Sequence, residues 1–300
     1  MADIASTVKD ICLLWIKFVF ALGKAAYRKV VPVQLKPVKG EIVLVTGAGH
    51  GIGKELAVLY ASEGATVVAW DVNTKTNQET VSEINQRGYK AYAYHCDVTK
   101  REQVFEVAKK VQQEVGTVTI LVNNAGIMPA KTLLDHTQED IERIFALNVL
   151  AHHWTIQAFL PDMKKNHHGH IVAISSIAGL MGSEYVVPYC STKFAVVALM
   201  EALQQELRLE KVYNVGFTTV CPYVTDTALC KKPKIKFSSV MAMLNPADVA
   251  KAVMKAQRTN EVLVTVPKYL LHLVKFTRLF PYEVGVLVRD FFDSGLYADS

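Results

Sequence analysis

Of the 12 tyrosines in the chain, Tyr189 alone is followed four residues on by a lysine, Lys193. On a helix, positions i and i+4 share one face, so this pair sets a phenol beside an amine. Thirteen residues before Tyr189, the apolar run Ile171-Val-Ala-Ile ends in the hydroxyls of Ser175 and Ser176. A phenol with an ordinary pKa of about 10 is a poor base at neutral pH, and a nearby ammonium favours its anion. The set therefore suits removal of the O–H proton from an alcohol that is losing hydride, with Ser176 within reach of the substrate oxygen. Taken singly, Tyr189 and Lys193 are ordinary boundary residues. Their weight comes from standing with the strand-end serine and with a glycine-rich turn upstream.

That turn lies in Glu41 to Gly53, which reads Glu-Ile-Val-Leu-Val-Thr-Gly-Ala-Gly-His-Gly-Ile-Gly, an apolar strand running into Gly47, His50, Gly51, Ile52 and Gly53. A helical stretch, expected over Lys54 to Glu63, follows. Glycines let backbone approach a pyrophosphate, and a helix N-terminus offers it unpaired N–H groups. A second β-type run, Ala65 to Trp70, ends in Asp71, near the spacing at which a carboxylate meets an adenosine ribose. Asp71 favours NAD as cofactor, because a 2′-phosphate would meet its negative charge. The competing reading makes Asp71 a loop cap, and His50 with Lys75 keeps NADP as the lesser alternative.

Apolar strands and helical periods alternate onward from there. Tyr94-His-Cys-Asp97-Val98 and Thr119-Ile-Leu-Val-Asn123-Asn124-Ala125-Gly126 end in polar or glycine-containing turns, and helical patterns cover Lys100 to Val115 and Thr137 to Leu160. Such alternation predicts an α/β fold, a single doubly wound parallel-sheet Rossmann domain. The expected organisation is an apolar segment and linker over 1–36, the dehydrogenase-like domain over 37–266, and an apolar extension over 267–300. With 51% hydrophobic and 20% charged residues among 300, the chain has ample core. A net charge of +5 with one dense basic run, Lys231 to Lys236, lacks the clustered basic face of a nucleic-acid binder. Five cysteines with no Cys-x-x-Cys pair read as reduced thiols, and no metal site is expected: His167-His168-Gly169-His170 sits on a short loop with poor ligand convergence.

Near the N-terminus, Ile4, Val8, Ile11, Trp15, Phe18 and Leu22 step by four and three, while Asp3, Asp10, Lys17 and Lys24 recur every seven. The pattern describes a helix lying in a membrane or lipid-droplet surface through residues 4–22. A helix packed on the protein's own core and a true span with its basic flank in the cytosol compete with that reading. A signal peptide fits less well, because Lys24, Arg28 and Lys29 follow the apolar block.

Thr46-Gly-x-x-x-Gly-x-Gly53, Asn123-Asn-Ala-Gly126, Asn148, Ser176 and Tyr189-x-x-x-Lys193 together resemble the short-chain dehydrogenase/reductase family over roughly Lys39 to Val266. The resemblance implies a catalytic tetrad of Asn148, Ser176, Tyr189 and Lys193, with Asn148 positioning Lys193 through a water and Lys193 also binding the nicotinamide ribose. It further implies that Asp97 and Val98 flank the adenine, that Asn124, with Ala125 and Gly126, lines the cofactor cleft, and that Thr227 contacts the nicotinamide carboxamide or phosphates. Tyr223 stands after Pro222 where many members have glycine, a departure that unsettles the local backbone and the role of Thr227. The N-terminal helix, Gly40 to Gly53 and Asn166-His-His-Gly-His-Ile-Val172 look most like the subgroup of 17β-hydroxysteroid dehydrogenases 11 and 13 and epidermal retinal dehydrogenase 2.

That likeness implies lipid alcohols such as steroids or retinoids as substrates, an endoplasmic reticulum or lipid-droplet location with the catalytic domain facing the cytosol, and a homodimer formed through the helices carrying Asn148 and Tyr189. Loops at Leu180 to Val187 and Tyr223 to Leu244, with Met181, Val240, Met241 and Met243, suit a greasy substrate and a mobile lid. His152 and His153 are expected in packing or dimer contact. The C-terminal stretch Val262 to Phe292 serves either as a second membrane contact or as a wall of the substrate cleft. Two other functions compete with NAD-dependent oxidation: NADPH-dependent reduction of a lipid carbonyl, and a non-catalytic lipid-droplet scaffold.

Overall fold

The structure, a computed structural model, describes residues 2–31, 33–237 and 241–298, without the side chains of residues 2, 3 and 28–30. Val240 of the expected lid lies outside the described residues. Two compact units are present, Met1–Lys36 and Pro37–Ser300. In the first, a single helix α1 (Ala2–Val30) exposes Ile4, Val8, Ile11, Trp15, Phe18 and Leu22. No helix among the described residues is long and apolar enough to cross a membrane.

The second unit is built on seven parallel strands, β1 (Ile42–Thr46), β2 (Thr66–Asp71), β3 (Lys90–His95), β4 (Ile120–Asn123), β5 (Gly169–Ile174), β6 (Val215–Pro222) and β8 (Leu263–Val266), in the order β3-β2-β1-β4-β5-β6-β8. A short antiparallel pair joins β7 (Pro233–Lys234) to β9 (Gly295–Leu296). Between the strands run α2 (Gly51–Ser62), α3 (Thr74–Gln86), α4 (Arg101–Glu114), α5 (Gln138–Phe145), α6 (Ala151–Lys165), α7 (Val187–Leu209) and α8 (Pro246–Arg258). Helices α9 (Tyr269–Thr277) and α10 (Tyr282–Phe292) follow the sheet.

Side chains on a strand alternate between faces, and the core divides accordingly. Val43, Val45, Val67, Val122 and Val172 pack with Leu56 and Tyr60 of α2 and Val249 and Val253 of α8. Their neighbours Leu44, Val68, Trp70, Leu121 and Ile171 pack on the other face with Val104, Phe159 and Met200. A sheet buried on both faces needs apolar residues at successive positions, which is why these strands read as continuous apolar runs.

Two boundaries differ from the sequence expectation. Helix α2 starts at Gly51 rather than Lys54, because the glycine turn itself carries the first helical turn. The stretch expected as one helix over Thr137 to Leu160 is interrupted by a π-helical turn, Ala146–Leu150, between α5 and α6. Insertions of this kind are uncommon and favour functional positions; this one carries Asn148, which is fully buried.

Candidate active site

At the C-terminal end of β1 the chain turns through Gly47 and Gly51, with φ of 67° and 57°, a region that favours glycine. The closest approach is at Gly53, where a Cβ would stand 2.0 Å from the Gly47 carbonyl oxygen. Asn124 staples this turn: its side-chain amide donates to the carbonyls of Thr46 at 2.9 Å and Gly47 at 3.2 Å. Thr46 returns the contact, its hydroxyl accepting the N–H groups of Asn124 and Ala125 at 3.0 and 3.1 Å.

The N-terminus of α2 receives no side-chain cap from His50, and its first turn holds no acidic residue. Its amides and positive dipole end are therefore left to an anionic ligand. Ile52 lies beside them on the cavity wall, and the Thr227 methyl comes within 3.3 Å of where a Gly51 Cβ would be. Asp71 ends β2 with one carboxylate oxygen accepting the Gly49 N–H and the other the Asn73 N–H, each at 2.8 Å. The strand end beside it carries Asp97, linked through the Cys96 N–H to the Asp71 carbonyl at 3.1 Å. The Asp97 carboxylate accepts from the Thr99 hydroxyl at 2.6 Å, and Val98 is buried. Glycine turn, uncapped helix end and strand-end carboxylate together fit a dinucleotide.

Across the sheet, β5 delivers Ser175 and Ser176. The Ser175 hydroxyl donates to the Lys193 carbonyl at 2.9 Å, docking α7 against the strand end. Ser176 caps the short turn Ile177–Gly179 by accepting the Ala178 N–H at 3.1 Å, and its hydroxyl is hydrogen-bonded to Tyr189. Pro188 in the first turn of α7 pre-sets the helix, so that Tyr189 and Lys193 face inward, 5% and 4% exposed. Asn148 accepts the Ile127 N–H and donates to the Ile127 carbonyl, both at 2.9 Å, and donates to the Thr192 hydroxyl at 3.1 Å. Its bonds thus go to Ile127 and Thr192, while the Lys193 ammonium donates to the Ile174 carbonyl at 3.0 Å. Gly126 fits between the two side chains: a Cβ there would lie 3.2 Å from Asn148 Oδ1 and 3.7 Å from Lys193 Nζ.

Electrostatically, burial pushes the Tyr189 phenol above its ordinary range, with the Ser176 hydrogen bond pulling against it. Burial lowers the Lys193 amine to about 8. Among the chain's own groups, desolvation is the dominant influence on Tyr189.

Asn124, Gly126, Ser176, Tyr189 and Lys193 open onto one cavity of about 1040 Å³. The C-terminal stretch forms part of its wall through Leu273, Val274, Phe280, Val286 and Phe292 of α9, α10 and their connection. The loop of residues 223–237 and 241–245 covers another side through Tyr223 and Met241, and is tied to the C-terminus by the β7–β9 pair and the Lys234–Asp293 salt bridge. The histidine-rich run is dispersed: His168 pairs with Glu41, and His170, in β5, with the Thr218 hydroxyl.

Residues missed by sequence reasoning fall into two kinds. Thr46 and Gly49 stand inside the glycine motif and were legible there. The Ile174 carbonyl had no signal, because a backbone atom carries no residue identity.

A sequence profile described as short chain dehydrogenase matches residues 41–236. The chain is 39% identical to short-chain dehydrogenase/reductase family 16C member 6 of Bos taurus, over 84% of this chain and 80% of that protein. It is 36% identical to epidermal retinol dehydrogenase 2 of Mus musculus, over 97% and 94%, and 34% identical to 17-beta-hydroxysteroid dehydrogenase 13 of Homo sapiens, over 94% and 93%. Among solved structures, a short chain dehydrogenase/reductase from Burkholderia phymatum in complex with NAD superposes with a TM-score of 0.72 at 26% identity, covering 81% of this chain and 94% of that one. An alcohol dehydrogenase from the archaeon Thermococcus sibiricus complexed with 5-hydroxy-NADP gives 0.67 at 26% identity, covering 76% and 96%.

Proposed function

This chain belongs to the short-chain dehydrogenase/reductase family, as an NAD(P)-dependent alcohol dehydrogenase or reductase, and we propose that it oxidises a lipophilic alcohol, of steroid, retinoid or related lipid type, with NAD. The observation that carries this reading is the burial of Tyr189, with the Ser176 hydroxyl bonded to it and the Lys193 amine 5.5 Å from its ring centre, on the wall of one large and mainly apolar cavity.

When bound, the nicotinamide supplies the hydride acceptor or donor and, when oxidised, a positive charge. The rest falls to the chain's own residues. Ser176 orients the substrate hydroxyl, and Tyr189, as the phenolate that Lys193 and the oxidised nicotinamide would favour, takes its proton in oxidation or, as the phenol, returns it in reduction. Lys193 holds positive charge beside the Tyr189 ring and binds the nicotinamide ribose, while Asn148, from its π-helical turn, positions Lys193 through a water. Gly47, His50, Gly51, Ile52 and Gly53 hold the pyrophosphate at the head of α2, with Thr227 facing them. Asn124, Ala125 and Gly126 form the floor of the cleft, and Asp97 and Val98 flank the adenine. Asp71 accepts from the ribose hydroxyls, and its charge disfavours a 2′-phosphate. His50 and Lys75, both exposed near Asp71, favour a second reading with NADPH and a lipid carbonyl.

The exposed apolar stripe of α1 supports residency on an endoplasmic reticulum or lipid-droplet surface, with α1 lying in the interface rather than crossing it. Exposed Phe145 and Leu150 beside Asn148 support pairing of two copies through α5, α6 and α7.

The test is reduction of NAD against NADP by the purified, detergent-solubilised protein over estradiol, retinol and long-chain alcohols. NAD is expected to dominate, Asp71→Ser to shift preference towards NADP, and Tyr189→Phe to cut turnover about 10²- to 10⁴-fold with cofactor binding retained. Turnover that survives Tyr189→Phe would sink the assignment.

A further inference from the structure

Helix α9 and its connection to α10, Tyr269 to Tyr282, are apolar on two sides. Towards the cavity stand Leu270 and Val274, both buried, and Leu273. Away from the core, Tyr269, Phe276, Leu279, Phe280 and Tyr282 are exposed, Leu279 at 79% and Tyr282 at 75%. The Phe276 and Phe280 rings meet edge to face with centres 5.0 Å apart, so part of this outer patch is already assembled. The stretch holds Lys275 and Arg278 and no carboxylate. Among the described residues neither cation has an ion pair, and Arg278 donates to the Leu180 carbonyl at 2.6 Å.

Phe280 and Tyr282 belong at once to the exposed patch and to the cavity wall, so the cavity reaches the surface inside the patch. Large apolar side chains gathered on a surface mark an interaction site, and unpaired cations among them match anionic headgroups above acyl chains. A second copy fits this patch worse. Two-fold pairing sets a patch against itself, and here that would bring Lys275 and Arg278 against a stretch with no carboxylate. A protein partner would stopper the cavity, whereas a lipid surface supplies it with apolar molecules.

We propose that α9 and its connection to α10 dock on a lipid surface bearing anionic headgroups, and that the cavity takes its substrate directly from that surface beside Phe280 and Tyr282. The contact is made by the catalytic unit itself and is separate from any made by α1. Delivery of substrate rests on the proposal that the chain acts on lipophilic alcohols; the docking does not. Leu279 and Phe276 enter the acyl boundary, Lys275 and Arg278 meet the headgroups, and a lipid alcohol reaches Tyr189 without crossing water.

The experiment measures amide hydrogen exchange of the full chain alone, with phosphatidylcholine vesicles, and with vesicles that also contain phosphatidylserine. Residues 275–282 are expected to be protected by the anionic vesicles more than by the neutral ones. Lys275→Glu with Leu279→Glu, both at exposed positions that do not line the cavity, should remove that protection and weaken binding to anionic vesicles about ten-fold. The docking is overturned by no local protection, by equal protection from both vesicle types, or by protection that survives the double variant. Protection that grows with protein concentration in the absence of lipid also overturns it, in favour of a second copy. Turnover of retinol is read in parallel: the double variant should lower kcat/KM about ten-fold for retinol in anionic vesicles and leave it unchanged in detergent micelles. A vesicle rate indifferent to the double variant overturns delivery. If no alcohol is turned over while the local protection behaves as expected, the alcohol-oxidation reading fails and the docking stands.

Discussion

Lys193 stands one turn along α7 from Tyr189, its amine 5.5 Å from the centre of the phenol ring and 3.0 Å from the Ile174 carbonyl oxygen that accepts its hydrogen bond. The carbonyl at the end of β5 thus holds the amine at a fixed depth beside the phenol. That arrangement places an ammonium where water is excluded.

Stability should register this cost. Burial lowers Lys193 from its ordinary 10.5 to about 8, so the folded protein holds that proton less tightly than the unfolded chain does. Below about pH 8 both states are protonated and the folded state bears the whole penalty. Between about 8 and 10.5 the folded state has shed the proton and the penalty fades. Lys193→Met is therefore expected to stabilise the cofactor-free protein at pH 7 by on the order of 3 kcal/mol while abolishing turnover. Denaturant midpoints at pH 7 and pH 10 check it, and a gap between variant and wild type that does not narrow at the higher pH contradicts the argument.

The glycine turn gives a sharper steric test. An alanine at Gly53 would place its Cβ 2.0 Å from the Gly47 carbonyl oxygen and 2.5 Å from the Asn124 amide. Backbone cannot yield there without breaking the Asn124 staple, so Gly53→Ala should cost about 1–3 kcal/mol and weaken dinucleotide binding about ten-fold or more. At Gly88, with φ of 82° and nothing within 4 Å, alanine carries backbone strain alone and should cost about 1 kcal/mol with binding unchanged. Calorimetric titration of NAD into both variants separates them.

His152, on α6 one turn after Asn148, is 1% exposed, and neither ring nitrogen has a hydrogen-bond partner among the described residues. Burial, reinforced by Lys193 and His153, lowers it to about 3. As pH falls below about 6.5 the unfolded chain takes up a proton that the folded protein refuses until about pH 3, so stability is lost across that window. His152→Leu should lose less on acidification than wild type does. Parallel pH dependences of the two unfolding midpoints from pH 7 to pH 4 would rule out this role.

Much of the fold was legible because its signals are local. Apolar runs mark strands buried on both faces, and helical periods separate them. The one long-range unknown was order: nothing in the residues of β3 or β8 marks them as the two edges, because edge position depends on which strands pair, not on their own composition. The interruption at Asn148 was also invisible, since one widened turn is flanked by helical pattern on both sides. The C-terminal stretch allowed two readings, and its packing against the cavity with Val274 buried places it on the cleft wall.

By itself, the sequence determined the chemistry on offer. The helical repeat puts Tyr189 and Lys193 on one face of α7, the glycines after β1 leave room for a pyrophosphate, and the carboxylate of Asp71 falls at the next strand's end. Each follows from spacing within one element or from the step between adjacent elements. Only the tertiary structure decided what surrounds that chemistry: the Ile174 carbonyl that holds Lys193, the Ile127 peptide that holds Asn148, and the wall that α9 and α10 add to the cavity. Those contacts join segments far apart in the chain, several through backbone atoms common to every residue, so composition and periodicity carry no trace of them.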